Sequence, residues 1–285
     1  MTQQADGISE RDYRRLSDLI RSESGIEFSP AKRTMIETRL GKRARALHMP
    51  SLSAYCDYVT SREGRREEWP RLIDAVTTHK TDFFREPAHF DYLVDHAVPE
   101  LTRVSGAGLR RPLLVWSSAC STGEEPYTLA MVLTEYARSV PSAAFRFQIE
   151  ATDISQGVLE TALAAVYQEA AVEPVPEALR RRYLLRSRQR DRQQVRIAPE
   201  IRARVAFRPL NLMDANYGFA DPLDIVFCRN VMIYFERQVQ HQVLLRIAAT
   251  LRKDGYLVMG HSESLNGLDL PLSQVAPTVY RRMDA

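Results

Sequence analysis

Pro112-Leu113-Leu114-Val115-Trp116-Ser117-Ser118-Ala119, followed by Cys120-Ser121-Thr122-Gly123-Glu124-Glu125-Pro126-Tyr127, is the stretch that decides the fold. An apolar run of strand length, a turn of small residues and an amphipathic segment from Glu125 to Val140 read as a buried strand feeding a helix. The pattern recurs downstream. Phe145 to Ile154 reads as a second strand, and Ser155 caps a helix running to about Tyr167. Residues 222–228 (PLDIVFC) make another strand, Glu236 to Lys253 a long helix closed by Asp254-Gly255, and Tyr256 to Gly260 a strand again. This alternation predicts a parallel, doubly wound α/β sheet, whose ligands sit at the carboxyl ends of the strands.

Upstream the texture is helical. Ser9 and Asp12 form a capping-box pattern ahead of Tyr13, Leu16, Leu19 and Ile20, and Gly25 ends that helix. Ser29-Pro30 reads as the next start, followed by the apolar stripe Ile36, Leu40, Ala44 and Leu47, bordered by Lys32, Arg39 and Arg43. Two more helices are expected, around Leu52 to Thr60 and Trp69 to Val76. The expected division is therefore a helical domain over 1–76 and an α/β domain over 77–285. Within the latter, about 179–208, Arg181–Leu185, Gln194–Ile197 and Arg204–Arg208 read as three short strands of a small antiparallel insert.

Composition sets limits on this reading. The 285 residues are 45% hydrophobic and 26% charged, which is ordinary globular usage. No window approaches the ~18 consecutive apolar residues of a membrane span, and MTQQADGISE lacks a basic patch followed by an apolar stretch, so no signal peptide is expected. Three scattered cysteines argue against a disulfide framework and for a cytoplasmic setting. The net charge of +3 conceals a local concentration: residues 179–208 hold eleven arginines against Asp191 and Glu200, a net +9, which leaves −6 for the remainder. Charge gathered in this way marks a contact surface.

The chemistry begins at the turn after the first strand. Small residues opening a helix let a ligand approach the backbone near the positive helix terminus. No Lys-Ser/Thr follows Gly123, so this is no P-loop, and the full G-x-G-x-x-G is also missing. Glu124 and Glu125 repel phosphate and suit a ligand with positive charge or hydroxyls. Asp153, ending the second strand, stands where a carboxylate accepts from ribose hydroxyls. A nucleoside without pyrophosphate that carries a cationic group describes S-adenosylmethionine. Ordinary N-capping by Glu124, Glu125 and Asp153 is the competing reading.

Ala119 to Tyr127, Ala151-Thr152-Asp153 and Phe227-Cys228-Arg229-Asn230-Val231-Met232-Ile233-Tyr234-Phe235 together resemble the CheR family of chemotaxis receptor methyltransferases. The likeness extends to Thr77–Glu86 (TTHKTDFFRE), Asn211-Leu212, Asp254-Gly255 and Gly260-His261-Ser262-Glu263, in order over most of the chain. The resemblance implies a Rossmann-like doubly wound methyltransferase sheet with a small antiparallel β insert, preceded by an all-α N-terminal domain. It implies methyl transfer from S-adenosylmethionine, leaving S-adenosylhomocysteine, to glutamates on the cytoplasmic helical domain of chemoreceptors. Carried over by motif, His79, Thr81, Arg85, Glu125, Asp153, Asn211, Leu212, Arg229 and Asn230 would line the cofactor site. Glu125 would meet the amino group, Asp153 the ribose, and Asn211-Leu212 the adenine. His79 stands where the family usually has Asn. Arg85 is expected to hold the substrate's carboxylate or the cofactor's own, and Tyr234 to orient the methyl or carboxylate.

Rival readings fare worse. Gly260-His261-Ser262-Glu263-Ser264 superficially matches a hydrolase elbow, but no histidine follows His261 to complete a triad. His79, His89 and His96 lie near Asp82, Glu86 and Asp95 without a tight metal signature, so no metal is expected. A nucleic-acid methyltransferase would suit the arginines. Arg229-Asn230-Val231-Met232, however, stands where amino-methylating members carry an Asn/Asp-Pro-Pro-aromatic tetrad, so no nucleic-acid partner is expected. A non-catalytic receptor-docking scaffold is the remaining alternative. The loop Arg186-Ser187-Arg188-Gln189-Arg190-Asp191-Arg192 has no glycine, whereas family members that use a receptor tether tend to have them there. Independence of a C-terminal tether peptide is therefore expected. Nothing specifies an oligomer, so a monomer is expected, without membrane insertion.

Overall fold

The computed structural model describes residues 7–28, 32–140, 145–189 and 193–283. Helix α1 (Glu10–Ser24) opens on the expected Ser9 cap: the Asp12 amide donates to Ser9 Oγ at 3.0 Å, and the Asp12 carboxylate accepts from the Ser9 hydroxyl at 2.8 Å. Gly25, at φ 72°, ends it. Helix α2 (Arg33–Ala46) buries Ile36, Leu40 and Ala44, but Leu47 caps its end and is exposed. The expected start at Ser29-Pro30 lies outside the described residues. Helix α3 spans Leu52–Thr60 as expected. Helix α4 (Arg62–Val76) begins well before Trp69, because Ser61 Oγ accepts from the Gly64 amide at 3.1 Å. Pro70 thus sits inside α4, where burial of Leu72, Ile73 and Val76 outweighs one lost backbone hydrogen bond. Glu68, 2% exposed, is held in this helical core by Arg43 at 2.7 and 3.0 Å.

Helices α5 (Ala88–Tyr92) and α6 (Val98–Ser105) run on through a single π turn over Leu93–Ala97. Then follow β1 (Leu113–Ser118), α7 (Glu124–Ser139), β2 (Phe147–Asp153) and α8 (Gln156–Ala164). Next come β3 (Val166–Gln168), α9 (Glu177–Tyr183), β4 (Leu184–Arg186), β5 (Gln194–Ile197), α10 (Pro199–Arg202) and β6 (Val205–Pro209). The chain closes with β7 (Leu223–Cys228), α11 (Arg237–Thr250), β8 (Leu251–Met259), β9 (Leu272–Ala276) and β10 (Val279–Arg282).

Seven strands form the main sheet in the order β6-β2-β1-β7-β8-β10-β9, parallel except for the last two. Successive side chains of β7 alternate between the two cores: Ile225 and Phe227 pack on one face, Val226 and Cys228 on the other. That is why PLDIVFC carries no polar face. At the amino end of the sheet, Arg111 grips the fully buried Asp224 with two bonds of 2.6 and 2.5 Å.

Further expectations change in the α/β domain. The small sheet is β3-β5-β4, so Arg204–Arg208 is not its third strand. That segment pairs instead with β2, because Val205 and Phe207 cover Cys120, Ala151 and Leu159. Arg181 to Tyr183 is helical, within α9. Helix α8 stops at Ala165, in a left-handed conformation (φ 54°), and Tyr167 belongs to β3 because its ring packs edge-on against Phe83. Asp254-Gly255 does not close α11, which ends at Thr250; it lies inside β8, where the register slips. The β9–β10 hairpin was not anticipated from the sequence and makes the sheet mixed. Of the glycine-free loop, residues 190–192 lie outside the described residues, while Arg181, Arg182, Arg186, Arg188 and Arg196 are exposed. Among the described residues no helix is long and apolar enough to cross a membrane.

The helical domain packs over the carboxyl ends of the strands. Ser155 Oγ donates to Asp74 of α4 at 2.6 Å. On the other side, the Glu27 amide donates to the Tyr234 carbonyl at 2.9 Å, and Ile26 bridges Phe235.

Candidate cofactor and active site

A cavity of about 310 Å³ opens at the carboxyl ends of β1, β2 and β7. Four segments build its inner wall: the turn after β1, the end of β2, the Asn211-Leu212 loop and the loop after β7. The segment Thr77–Arg85, entering α5, crosses its front, and Ser24, Ile26, Phe28 and Lys32 of the helical domain complete the rim. All ten residues expected from the sequence face it: His79, Thr81, Arg85, Glu125, Asp153, Asn211, Leu212, Arg229, Asn230 and Tyr234.

The loops that meet here are strained. Phe84, Glu86, Ala119, Ser121 and Asn230 all have left-handed backbone with φ between 51° and 57°, which costs non-glycine residues roughly 1 kcal/mol or more each. Buried hydrogen bonds hold them. Asp153 accepts from the Ser121 amide on one oxygen and the Ser155 amide on the other, both at 2.9 Å. Burial pushes its carboxyl upward, against the pull of those two amides. N-capping by Ser155 therefore coexists with an Asp153 carboxylate that faces the cavity. Glu124, in contrast, turns back to the Thr122 hydroxyl at 2.7 Å and does not face the cavity.

Glu125 is held more firmly than the sequence implied. Ser117 Oγ donates to one oxygen at 2.7 Å and Arg229 Nη1 to the other at 3.0 Å. Each oxygen keeps a further lone pair for a cationic ligand. Burial raises the Glu125 carboxyl, with Arg229 opposing. Arg229 in turn binds Glu86 at 3.0 Å and the Arg85 carbonyl at 2.5 Å. Its guanidinium also lies 5.7 Å from the Phe90 ring centroid. It is thus the joint that locks three segments together, with its polar head turned on protein groups. Asn211 is similarly engaged: its amide donates to the Glu23 carbonyl at 2.6 Å and its oxygen accepts from the Met213 amide at 3.0 Å. Both polar ends of that side chain are committed, which ties α1 to the Asn211-Leu212 loop. His79 bonds Thr77 Oγ1 at 2.8 Å, and its carbonyl accepts from Ser121 Oγ at 3.0 Å. Arg85 reaches the Lys80 carbonyl at 3.2 Å.

Two contributors escaped the sequence reading. Glu263, 5% exposed, accepts from the backbone amides of Asn230, Met232 and Gly260, each at 2.8 Å, and so fixes the loop after β7. A side chain at Gly260 would meet Asn230 Nδ2 at 2.5 Å and Glu263 Oε2 at 2.9 Å. The run Gly260-His261-Ser262-Glu263 was the available signal, but its partner loop lies some thirty residues earlier. Lys32 places its ammonium 4.8 Å from the Tyr234 ring centroid; nothing local in sequence links the two. Cys120 and Cys228 are buried, and burial pushes both thiols upward, so neither is primed as a nucleophile.

The donor set fits a cationic nucleoside. Carboxylates at the start of α7 and the end of β2 suit an ammonium and hydroxyls, Ile154, Leu210 and Leu212 add apolar lining for a flat ring, and the turn after β1 lacks the Lys-Ser/Thr of a phosphate cradle. Residues 11–77 match the family described as CheR methyltransferase, all-alpha domain, and residues 79–281 the one described as CheR methyltransferase, SAM binding domain. The chemotaxis protein methyltransferase of Escherichia coli (strain K12) is 37% identical over 273 residues, 96% of this chain and 91% of that one. Chemotaxis protein methyltransferase 2 of Pseudomonas aeruginosa is 36% identical over 269 residues, 94% and 92% of the two chains. Among solved structures, magnesium protoporphyrin IX methyltransferase from Synechocystis PCC 6803 with bound SAH is similar at a TM-score of 0.31 and 16% identity. That match covers 71% of this chain and 68% of that one, a likeness too loose to carry an argument.

Proposed function

The chain belongs to the CheR methyltransferase family, with its S-adenosylmethionine-binding domain, and on that premise we propose that it methylates glutamate side chains of chemoreceptors, forming glutamyl methyl esters. The strongest support is the single cavity that Glu125, Asp153, Arg85 and Tyr234 share. Bound S-adenosylmethionine supplies an electrophilic methyl on a sulfonium centre. In this reading Glu125 receives the ammonium, Asp153 the ribose hydroxyls, and Leu212 with the Asn211 backbone the adenine. His79, Thr81, Arg229 and Asn230 shape the surrounding wall.

A glutamate carboxylate is ionised at pH 7 and is itself the nucleophile, so no general base is needed. The protein's task is to align that carboxylate with the methyl and to exclude water. Arg85, at the mouth, pairs with the incoming carboxylate, and Tyr234 turns it in line. The exposed arginines of the small sheet and α9 present a surface for the acidic receptor bundle, without dependence on a C-terminal tether peptide.

Incubation with radiolabelled S-adenosylmethionine tests the class: receptor cytoplasmic fragments gain base-labile label released as methanol, and RNA and DNA gain none. Label on nucleic acid overturns the reading. Within it, Arg85→Ala lowers kcat/KM about tenfold to a hundredfold, the size of one charged hydrogen bond. Tyr234→Phe lowers kcat about tenfold while calorimetric affinity for S-adenosylhomocysteine stays level. Full activity in both variants would remove these roles.

A further inference from the structure

Beside the cavity, but not lining it, three potential metal ligands converge from two segments of the chain. Glu86 precedes α5, His89 lies on α5 and His261 follows β8; their ligand atoms lie within 4.8 Å of one another. Glu86 Oε2 is 3.4 Å from His89 Nδ1 and 4.0 Å from His261 Nε2. The two imidazole rings are 5.1 Å apart, edge to face.

The tautomer of His89 follows from its other side. Nε2 lies 2.7 Å from Thr278 Oγ1, and the Thr278 hydroxyl donates to the Pro277 carbonyl at 2.8 Å. That hydroxyl proton is committed, so Nε2 carries the ring proton and donates it to Thr278. In a neutral imidazole the other nitrogen is then a bare lone pair. His89 is 3% exposed, its Nδ1 has no hydrogen-bond partner, and it points at a carboxylate oxygen. Glu86 Oε2 is already met by Arg229 Nη2 at 3.0 Å, so the buried Nδ1 lone pair of His89 is the group left without a partner, and an ion that accepts it would satisfy it.

We propose that Glu86, His89 and His261 form a binding site for a divalent transition-metal ion of the zinc class. Two imidazole nitrogens and one carboxylate are a borderline-soft ligand set that favours Zn²⁺ or Co²⁺ over Ca²⁺ and Mg²⁺, which take oxygen ligands. Burial and the neighbouring Arg229 push His89 down to about 4, which keeps the ring neutral and able to ligate at pH 7. Thr278 supplies the outer hydrogen bond that orients a metal-binding histidine. His261, with a side chain 58% exposed, provides access and swings the small distance needed to close on the ion.

The other groups around Glu86 set the strength. Arg229 Nη2 is 3.0 Å from Oε2, the His261 amide 3.3 Å from Oε2, and Asn230 Nδ2 3.5 Å from Oε1. The ion shares the carboxylate with a guanidinium, which holds the site to moderate affinity.

Calorimetric titration of the tag-free full-length protein with ZnCl₂, and absorption spectroscopy with CoCl₂, test the site. One saturable ion per chain is expected, with the intense visible bands of low-coordinate Co²⁺ and a higher melting temperature in Zn²⁺. His261→Ala, at a side chain that is 58% exposed, weakens binding by more than about tenfold and removes the thermal shift; His89→Gln does the same. Absence of saturable binding overturns the proposal, as does binding of unchanged affinity in both variants.

Discussion

Asp153→Ala is expected to lower affinity for S-adenosylhomocysteine about 10³-fold by isothermal calorimetry, the largest single loss in the cofactor site. In the proposed placement of the cofactor two ribose hydroxyls each lose a charge-assisted acceptor, at roughly 1.5–3 kcal/mol apiece. The backbone suffers as well. Ser121 and Ser155 would leave buried amides unpaired where each now donates at 2.9 Å, so the left-handed turn at Ala119 and Ser121 loses its anchor. Asp153→Asn, which retains one acceptor, should recover part of the affinity. The wild-type protein carries a pH signature of the same group. Burial raises the folded-state pKa of Asp153, so on acidification its acceptors are lost at a higher pH than for an open carboxylate. Affinity therefore falls as pH drops through that raised value. Its contribution to fold stability moves the other way: a proton bound more readily by the folded than the unfolded chain stabilises the fold towards acid pH. An Asp153→Ala variant that binds S-adenosylhomocysteine as tightly as the wild type would show that Asp153 does not contact the ligand.

Arg229→Ala is expected to destabilise the protein by about 3–5 kcal/mol in urea unfolding, because it strips a buried cation from two carboxylates. The side chain is 2% exposed and pairs with Glu86 and Glu125 at 3.0 Å each. Out of a typical total of 5–15 kcal/mol this is enough to populate unfolded chains. Arg229→Lys keeps the charge but lacks the planar fork that reaches Glu86, Glu125 and the Arg85 carbonyl together; it is expected to recover only part of the loss. A change below about 1 kcal/mol for Arg229→Ala, typical of an exposed pair, would mean that Arg229 is not the joint described here.

The main sheet was legible because its strands are buried on both faces: continuous apolar runs such as PLDIVFC have no other stable setting. Helix starts were legible where a capping side chain precedes an apolar period, as at Ser9, and illegible where no apolar residue follows the cap: α4 was expected from about Trp69, yet Ser61 starts it ahead of Arg62–Glu68, which carry no apolar side chain. The small sheet was misread at both ends, since short Arg-rich segments contain no periodicity strong enough to choose between a separate hairpin and an edge of the main sheet. Burial of Val205 and Phe207 against Cys120, Ala151 and Leu159 made that choice.

What the sequence determined by itself was that ligand-facing side chains gather at the carboxyl ends of adjacent parallel strands, with Glu125 and Asp153 among them; the other expected cavity residues came through the family resemblance, and Ser24, Ile26, Phe28 and Lys32 of the helical domain were not anticipated there. Short motifs at strand ends converge wherever the strands are parallel and adjacent, and β1, β2 and β7 are. Tertiary structure alone decided how those side chains divide their bonds. Arg229 faces protein carboxylates, Asn211 is committed to α1, and Glu263 holds a loop about thirty residues away. It also brought His261 to Glu86 and His89 across some 175 positions of chain. Periodicity and capping act within a few residues, whereas a hydrogen bond or ligand set depends on three-dimensional separation. Only the packed fold supplies that separation.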